Sequence, residues 1–170
     1  MSITDATVLD PRIDRRLAVD IDAAESDVLT AYWDPIGKVW TCGRGHVMPP
    51  PAPPATWAGF SVIQSTSDRW FNTDIVNAMV LAQKWPEYEK CDTACRKNAL
   101  IEIAFNLGGR WAGFHHARAA ALAQDWQGVH DNLLWDAPGV KTAWYAEVKG
   151  RAERLANYFL TGEYPCQSGT

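Results

Sequence analysis

The segment from Glu25 to His46 constrains the fold of this chain most, because it joins a helix end, a tight turn and a short returning strand. Apolar residues recur at helical spacing up to and across its start, at Ile13, Leu17, Ile21, Ala24 and Val28. After it begins, Pro35 and Gly37 reverse the backbone, and residues 31–47 alternate aromatic, β-branched and glycine residues. The pattern predicts a helix that ends near Glu25 and a hairpin that follows it.

Two carboxylates in this segment, Glu25 and Asp34, stand nine positions apart. A helix end followed by a turn can bring them to opposite sides of one cleft, and glycoside hydrolysis uses such a pair of carboxyl groups. The acid needs burial to raise its pKa above about 4.3, and the neighbours Ala23, Ala24 and Val28 suit Glu25 to that role. The polar, turn-rich surroundings of Asp34 keep a carboxylate ionised. We therefore hypothesise that Glu25 is a general acid and Asp34 a general base.

The same segment resembles the catalytic segment of T4-type phage lysozymes, glycoside hydrolase family 24. That family's segment runs Glu, eight residues, Asp, five residues, Thr and then Gly-x-Gly-His. This chain keeps the Glu-to-Asp spacing and the ending Gly43-Arg44-Gly45-His46, but six residues separate Asp34 from Thr41, and Ser26 stands where the family usually has Gly. We expect the turn around Pro35 to Val39 to absorb the extra residue.

The resemblance extends over roughly residues 21 to 164. Further matching motifs recur in family order: Ala99-Leu100-Ile101, Phe105-Asn106-Leu107-Gly108, Gly113-Phe114, Trp126, Asn132-Leu133, Trp144-Tyr145, Arg151-Ala152-Glu153-Arg154 and Thr161-Gly162. The chain departs from the family between Val47 and Ile63, where five prolines lie in Met48 to Pro54. We interpret this stretch as a stiff polyproline-type loop, either a rigid surface connection or a lid over the cleft.

The resemblance implies an α+β, mainly helical, lysozyme-like fold with two lobes, in one domain over residues 1–170. Its small N-terminal β-hairpin lobe covers about 14–65, a connecting helix about 66–85 and a helical lobe about 86–164. Local signals predict a first helix that starts at Asp10-Pro11 and helix caps at 65–68 and Gly108. Helical segments are predicted at 92–107, 114–125, 127–134, 138–146 and 148–160.

The resemblance also assigns roles to single residues. Thr41 would hold the attacking water beside Asp34, and Arg151 would reach across the cleft to Glu25. Substrate contacts would fall on Val47, Phe105 and Asn132. The family's cleft serine corresponds to Ala117, so that its hydrogen bond is missing or moved to His116. His46 is expected to be a structural hydrogen-bonding residue.

The implied activity is that of an endolysin muramidase, which hydrolyses the β-1,4 bond between N-acetylmuramic acid and N-acetylglucosamine in bacterial peptidoglycan for host lysis. Two alternatives stay open: a lytic transglycosylase, which leaves an anhydro-muramoyl end, and a lysozyme-like module that binds glycan without cutting it. No cofactor or metal is implied.

Composition limits the classes of binding partner and the cellular compartment that we expect for this chain. The chain has 47% hydrophobic residues, 21% charged residues and a formal net charge of -4, which is typical of a soluble globular protein and argues against nucleic acid as a partner. The start lacks a charged leader and an apolar run, and no stretch approaches membrane-spanning length. We expect a monomer made in the host cytoplasm, without stable membrane association, that reaches periplasmic peptidoglycan after holin-dependent release.

Cysteines, tryptophans and a basic helix allow further interpretations. Reduced thiols are the default for the cysteines, with a disulfide after release and a Cys91, Cys95 zinc site as the alternatives. The tryptophans at helical core spacing (Trp126, Trp135 and Trp144) indicate packing, whereas Trp40 and Trp57 are candidates for the cleft. The basic side chains of the last helix (Lys149, Arg151 and Arg154) fit either a solvated face or contact with acidic wall polymers.

Overall fold

The computed structural model describes residues 8–35, 37–50 and 56–165. The chain divides into two compact units, Met1–Asn77 and Ala78–Thr170. The first holds a three-stranded sheet and the second is mostly helical with one two-stranded sheet. The predicted fold class, α+β and mainly helical, is therefore confirmed.

The first unit begins with helix α1, Arg15–Ala24. The side chain of Asp14 caps it by accepting hydrogen bonds from the backbone N–H groups of Arg16 and Leu17. Its apolar face buries Leu17 and Ile21, which are 2% and 0% exposed. The predicted start at Asp10-Pro11 is wrong, because Asp14 supplies the cap while the carboxylate of Asp10 binds the Arg12 side chain.

The strands of the first unit are β1 Val28–Asp34, β2 Val39–Gly43 and β3 His46–Val47, antiparallel in that order. The single predicted hairpin is thus two consecutive hairpins. The second one turns through Gly43 and Gly45, whose φ angles of +63° and +84° favour glycine. One face of the sheet packs a small core of Ala31, Cys42 and Met48, joined by Trp40, Trp57, Val62 and Trp70.

Helix α2, Gln64–Ala82, follows the sheet. Its length agrees with the connecting helix expected at about 66–85, although residues 83–85 form turns after its end. The residues predicted as its caps, 65–68, lie inside its first turns. The division between the compact units falls within this helix. Residues 51–55 of the predicted proline loop lie outside the described residues; beside them, the Trp57 indole donates to the Pro49 carbonyl at 2.9 Å.

The second unit packs helices around a buried apolar core. After a 3-10 turn at Tyr88–Lys90 come α3 Ala94–Leu107, a 3-10 segment Gly108–Gly113, α4 His115–Leu122, α5 Trp126–Leu134, β4 Trp135–Ala137, β5 Val140–Lys141, α6 Ala143–Val148 and α7 Gly150–Thr161. Leu100, Ile103, Leu133, Leu155 and Phe159 are each 0% exposed in its centre. Gly108 ends α3 with a φ of +53°, as predicted.

The β4–β5 hairpin corrects one predicted helix. Residues 138–146 were expected to be helical, but the chain turns at Gly139, where φ is +78°, and α6 starts only at Ala143. Thr142 caps α6 and also donates its hydroxyl to the Leu133 carbonyl at 2.9 Å. The hairpin therefore ends α5 and redirects the chain into α6.

Three cysteines of the described chain, Cys42, Cys91 and Cys95, are buried free thiols. Burial raises the pKa of Cys91 to about 12, which keeps it protonated and unreactive at neutral pH. Cys166 lies outside the described residues. Across the described ranges, each helix is too short or too polar to cross a lipid bilayer.

Candidate active site

Glu25 is the residue at which α1 ends. Its backbone is extended, with φ -107° and ψ 146°, and its N–H still donates to the Ile21 carbonyl at 3.1 Å. Its side chain is half-buried. Gly45 faces it closely, since a Cβ atom built on that glycine lies 3.5 Å from Glu25 Oε2. The tip of the second hairpin thus packs against the carboxylate of Glu25.

The surroundings of Glu25 differ from those expected. Its predicted apolar environment relied on Ala23, Ala24 and Val28, but all three are exposed. The buried neighbours along the chain are instead Asp22 and Asp27, whose side chains are 4% and 6% exposed. Charged groups, rather than apolar ones, therefore surround the end of α1.

Asp34 ends strand β1, where it pairs with Val39 across the hairpin. Gly37 allows this turn to close, because a Cβ atom there would lie 2.6 Å from Asp34 Oδ2. The ladder continues regularly from this pair to Trp33 with Trp40 and Tyr32 with Thr41. Pro35, Gly37 and Lys38, the described residues between Asp34 and Val39, form turns, and the expectation that this segment absorbs the extra residue stays a prediction.

Tyr32, Thr41 and Val47 form one row across the three strands. Paired residues of antiparallel strands share a face, and Asp34, two residues beyond Tyr32, shares it too. Thr41 is 5% exposed in the centre of the row, whereas Tyr32 and Val47 are exposed at its sides. One face of the sheet therefore carries Asp34, Thr41 and Val47 together.

The pKa of the Tyr32 phenol is affected by both carboxylates. Burial raises the pKa of its phenol, and the negative charges of Asp34 and Glu25 raise it further, in that order. Asp34 and Glu25 thus both disfavour ionisation of this phenol.

Sequence reasoning missed a buried ion network behind Glu25. Arg44 lies in the second hairpin turn, and its side chain is only 3% exposed. Its guanidinium contacts three carboxylates: Asp22 at 2.6 Å, Asp27 at 3.3 Å and Asp68 at 2.8 Å. The sequence signal for this network is the pair of glycines on either side of Arg44, since they indicate a turn that can approach other parts of the backbone closely.

Asp27 is held from several sides within this network. Ser67 Oγ and Gln64 Nε2 each donate to its carboxylate at 2.7 Å. Burial alone raises the pKa of Asp27, but these hydrogen bonds and the charge of Arg44 outweigh burial, so that the pKa is lowered. Asp27 is therefore ionised at neutral pH and binds α2 to the end of α1.

His46 has the structural surroundings that were expected of it. Its Nδ1 lies 2.8 Å from Asp74 Oδ2, and its ring stacks on Trp70 with a centroid distance of 4.4 Å. Burial raises the pKa of Asp74, and the hydrogen bond and charge of His46 only partly oppose this. These contacts fasten strand β3 to α2.

In the second unit, Arg151 and Arg154 of α7 share one buried partner. Glu102 of α3 is 1% exposed and accepts from Arg151 Nε at 2.8 Å and from Arg154 Nη2 at 2.7 Å. Both interpretations of a basic surface helix are therefore wrong for these two arginines. The predicted contact of Arg151 with the catalytic glutamate stays a prediction.

A cavity of about 240 Å³ lies in the second unit. Asn132, His116 and Ala117 line it, together with the indoles of Trp135 and Trp144. Asn132 donates to the Gly128 carbonyl at 2.7 Å, and this bond fixes its amide so that the oxygen is available. The predicted substrate residue Asn132 and the serine position occupied by Ala117 thus share one cavity. Phe105 is half-buried on α3 and does not line it.

The structure corrects one of the predicted tryptophan roles, that of Trp135. Trp40 and Trp57 pack, partly buried, against the small core. Trp40 lies on the sheet face opposite Thr41, because side chains alternate along β2. The expected place of both indoles in the cleft stays a prediction. Trp135, expected to be packing, is 36% exposed and lines the cavity. Trp144 is buried as expected, and its indole donates to Asn106 at 2.7 Å.

Comparison with known proteins gives one family match. The family model described as phage lysozyme matches residues 22–154, a range that includes every predicted catalytic and substrate residue. A comparison with curated proteins finds no match.

Proposed function

The chain belongs to the phage lysozyme family, and from that premise we propose that it is an endolysin muramidase. In this proposal it hydrolyses the β-1,4 bond between N-acetylmuramic acid and N-acetylglucosamine in bacterial peptidoglycan. Membership in the family makes it a lysozyme that cleaves glycan. The choice of bond, the use of water and the role in host lysis are the parts that we add.

The observation that carries the proposal is that Glu25 and Asp34 both border the three-stranded sheet: Gly45 of the second hairpin turn lies against the Glu25 carboxylate, and Asp34 ends strand β1. Two carboxylates at one sheet, one at a helix end and one at a strand end, can supply an acid and a base on different backbone elements. A transglycosylase requires only one such carboxylate. The second carboxylate therefore favours hydrolysis.

The proposed reaction uses both carboxyl groups once. Glu25 donates its proton to the glycosidic oxygen, which leaves as the hydroxyl of the released sugar. Asp34 takes a proton from a water molecule, whose oxygen bonds to the anomeric carbon. Because water attacks directly, this assignment implies inversion at that carbon.

Thr41 supports the same assignment. It lies diagonally across the ladder from Asp34 on the same face, a relation that separates side chains by roughly 7 Å. A water molecule between them can be oriented by a hydrogen bond with the Thr41 hydroxyl and can give a proton to Asp34. Val47, beside Thr41 and exposed, offers an apolar contact to the sugar ring.

We propose that the cavity of the second unit binds sugar residues of peptidoglycan. Asn132 presents an amide oxygen in the cavity, and Trp135 presents an exposed ring. Amide groups pair with N-acetyl groups and aromatic faces pack on sugar rings. We propose that His116 takes over the hydrogen bond that Ala117 cannot make.

A comparison of single variants tests the proposal. Purified protein is added to permeabilised Gram-negative cells and the fall in turbidity is followed for wild type, Glu25→Gln and Asp34→Ala. We expect lysis by the wild type and a loss of about 100-fold or more in both variants, because each removes one proton transfer. A wild type that sediments with cell walls without clearing them would support the glycan-binding alternative instead.

We also propose where the protein is made and how it reaches its substrate. The protein would be made in the host cytoplasm, act as a monomer on periplasmic glycan strands, and depend on a holin to pass the inner membrane. Expression in a Gram-negative host with and without a membrane-permeabilising agent tests this dependence. We expect lysis only after permeabilisation.

A further inference from the structure

We propose that Arg44 is a positioning residue for Glu25, an inference that rests on the proposed function of Glu25 as the general acid. Arg44 does not touch the reacting atoms in this proposal. Its guanidinium holds the two carboxylates that flank Glu25 in the chain, and through them it fixes the direction of the Glu25 side chain.

The first step of the argument is the position of the two flanking carboxylates. Asp22 lies three residues before Glu25 in α1, and Asp27 lies two residues after it in the connection to β1. Both are buried, with side chains 4% and 6% exposed. Arg44 contacts Asp22 through Nε at 2.6 Å and Asp27 through Nη2 at 3.3 Å. One rigid, planar group thus spans the chain on both sides of Glu25.

The second step is the attachment of this group to the rest of the first unit. Arg44 Nη1 contacts Asp68 of α2 at 2.8 Å, and the guanidinium lies 5.0 Å from the centre of the Phe71 ring. Gln64 bonds to both Asp27 and Asp68. Arg44 therefore links the end of α1 to α2. The helix end is held by these contacts as well as by the hydrogen bonds of its own last turn.

The third step concerns the backbone that carries Arg44. Gly43 approaches α2 so closely that a Cβ atom would lie 2.8 Å from Ser67 Oγ, and Gly45 approaches Glu25 Oε2. The same turn therefore delivers the guanidinium behind Glu25 and places its own backbone against the carboxylate. Removal of the guanidinium would release both contacts together.

Substitution of Arg44 by lysine distinguishes the effect of the positive charge from the effect of the planar guanidinium. Arg44→Lys keeps the positive charge but loses the planar fork that reaches three carboxylates. We expect kcat on soluble glycan oligomers to fall about 10- to 100-fold, because a small displacement of a catalytic group has that effect. KM should stay within about twofold, since the sugar contacts are unchanged.

The matched control is Arg96→Lys in the second unit. Arg96 is also buried, and it bonds to Asp92 at 2.6 Å and to the Phe159 and Leu160 carbonyls. Its loss destabilises the protein by a comparable route without touching the end of α1. At a temperature below both melting transitions, Arg96→Lys should keep kcat within about twofold of the wild type.

A second variant covers the case in which Arg44→Lys does not fold. Asp27→Asn keeps the shape of the side chain and weakens only the contacts that depend on its charge. We expect kcat to fall while KM stays constant. In each folded variant, the ¹³C chemical shift of the Glu25 carboxyl group should move, and it should stay at the wild-type value in Arg96→Lys.

The outcomes are distinct. If the wild type cleaves glycan and the Arg44 and Asp27 variants keep its kcat and Glu25 shift, the positioning role is wrong while the proposed function stands. If Arg96→Lys loses kcat as much as Arg44→Lys does, the effect is one of stability and the inference is overturned. If the wild type releases no product, the proposed function fails and this inference fails with it.

Discussion

At the scale of single residues, the candidate site depends on two turns that place a glycine beside each carboxylate. Gly37 lies under the carboxylate of Asp34 and Gly45 lies against that of Glu25. Both glycines belong to turns whose sequence signals are local, which is why their neighbourhood could be predicted. The environment of Glu25 could not, because the partners that surround α1's end come from residues 44 and 68.

Substitution of Gly37 tests the placement of Asp34. A Cβ atom at this position would lie 2.6 Å from Asp34 Oδ2, and its φ is not in the left-handed region. We expect Gly37→Ala to displace the carboxylate and lower kcat about 10- to 100-fold, while the free energy of unfolding changes by about 1 kcal/mol or less. Lysis rates and urea denaturation measure the two effects.

Gly109→Ala is the control for that substitution, because a Cβ atom there meets nothing within 4 Å. It should change neither lysis rate nor stability noticeably. If Gly37→Ala retained full activity, the carboxylate of Asp34 would not need the position that it has here.

At the scale of elements, buried ion networks join segments that are distant in the sequence. The Arg44 network joins α1, the second hairpin and α2, and Glu102 joins α3 to α7. Helix ends and turns could be predicted because capping residues and glycines act over a few positions. These networks could not, since a lone arginine in a turn or a glutamate in a helix usually indicates a solvated surface. The β4–β5 hairpin was missed because its strands are only three and two residues long.

The Arg44 network predicts a loss of stability in acid. The pKa of Asp27 is lowered in the folded protein, so its ionised form contributes stability above the unfolded pKa of about 3.9. That contribution disappears as the pH falls through the lower folded pKa. We expect the free energy of unfolding to decrease below about pH 4, measured by urea denaturation at several pH values.

The variant Asp27→Asn identifies the source of this dependence. It removes the titrating group, so the decrease below pH 4 should be smaller than in the wild type. An unchanged pH dependence in Asp27→Asn would assign the acid lability to other carboxylates.

The Glu102 network predicts a large loss of stability from one neutral substitution. Glu102→Gln leaves the charges of Arg151 and Arg154 without their buried partner. Breaking such a pair from one side costs about 3–5 kcal/mol. Urea denaturation should show this decrease, whereas the exposed control Glu147→Gln should change stability by less than about 0.5 kcal/mol. Equal stability of the two variants would mean that Glu102 does not hold the arginines in solution.

At the scale of the whole molecule, each compact unit carries part of the predicted machinery. The first holds Glu25, Asp34, Thr41 and Val47, and the second holds Phe105, Asn132 and Arg151. The family match spans residues from both units. The fold class could be predicted because motifs that resemble those of the phage lysozyme family recur in the same order over roughly residues 21 to 164. The cavity lined by Asn132, His116 and Trp135 could not, because its shape depends on how three helices and a hairpin pack.

The most direct test of the central claim is the chemistry of the product. Purified peptidoglycan is digested with the wild type. The masses of the released disaccharide peptides are then measured by mass spectrometry before and after borohydride reduction. We predict reducing N-acetylmuramic acid ends that gain hydrogen on reduction, and no such fragments from Glu25→Gln. Fragments lighter by one water molecule that resist reduction would contradict hydrolysis and identify a transglycosylase.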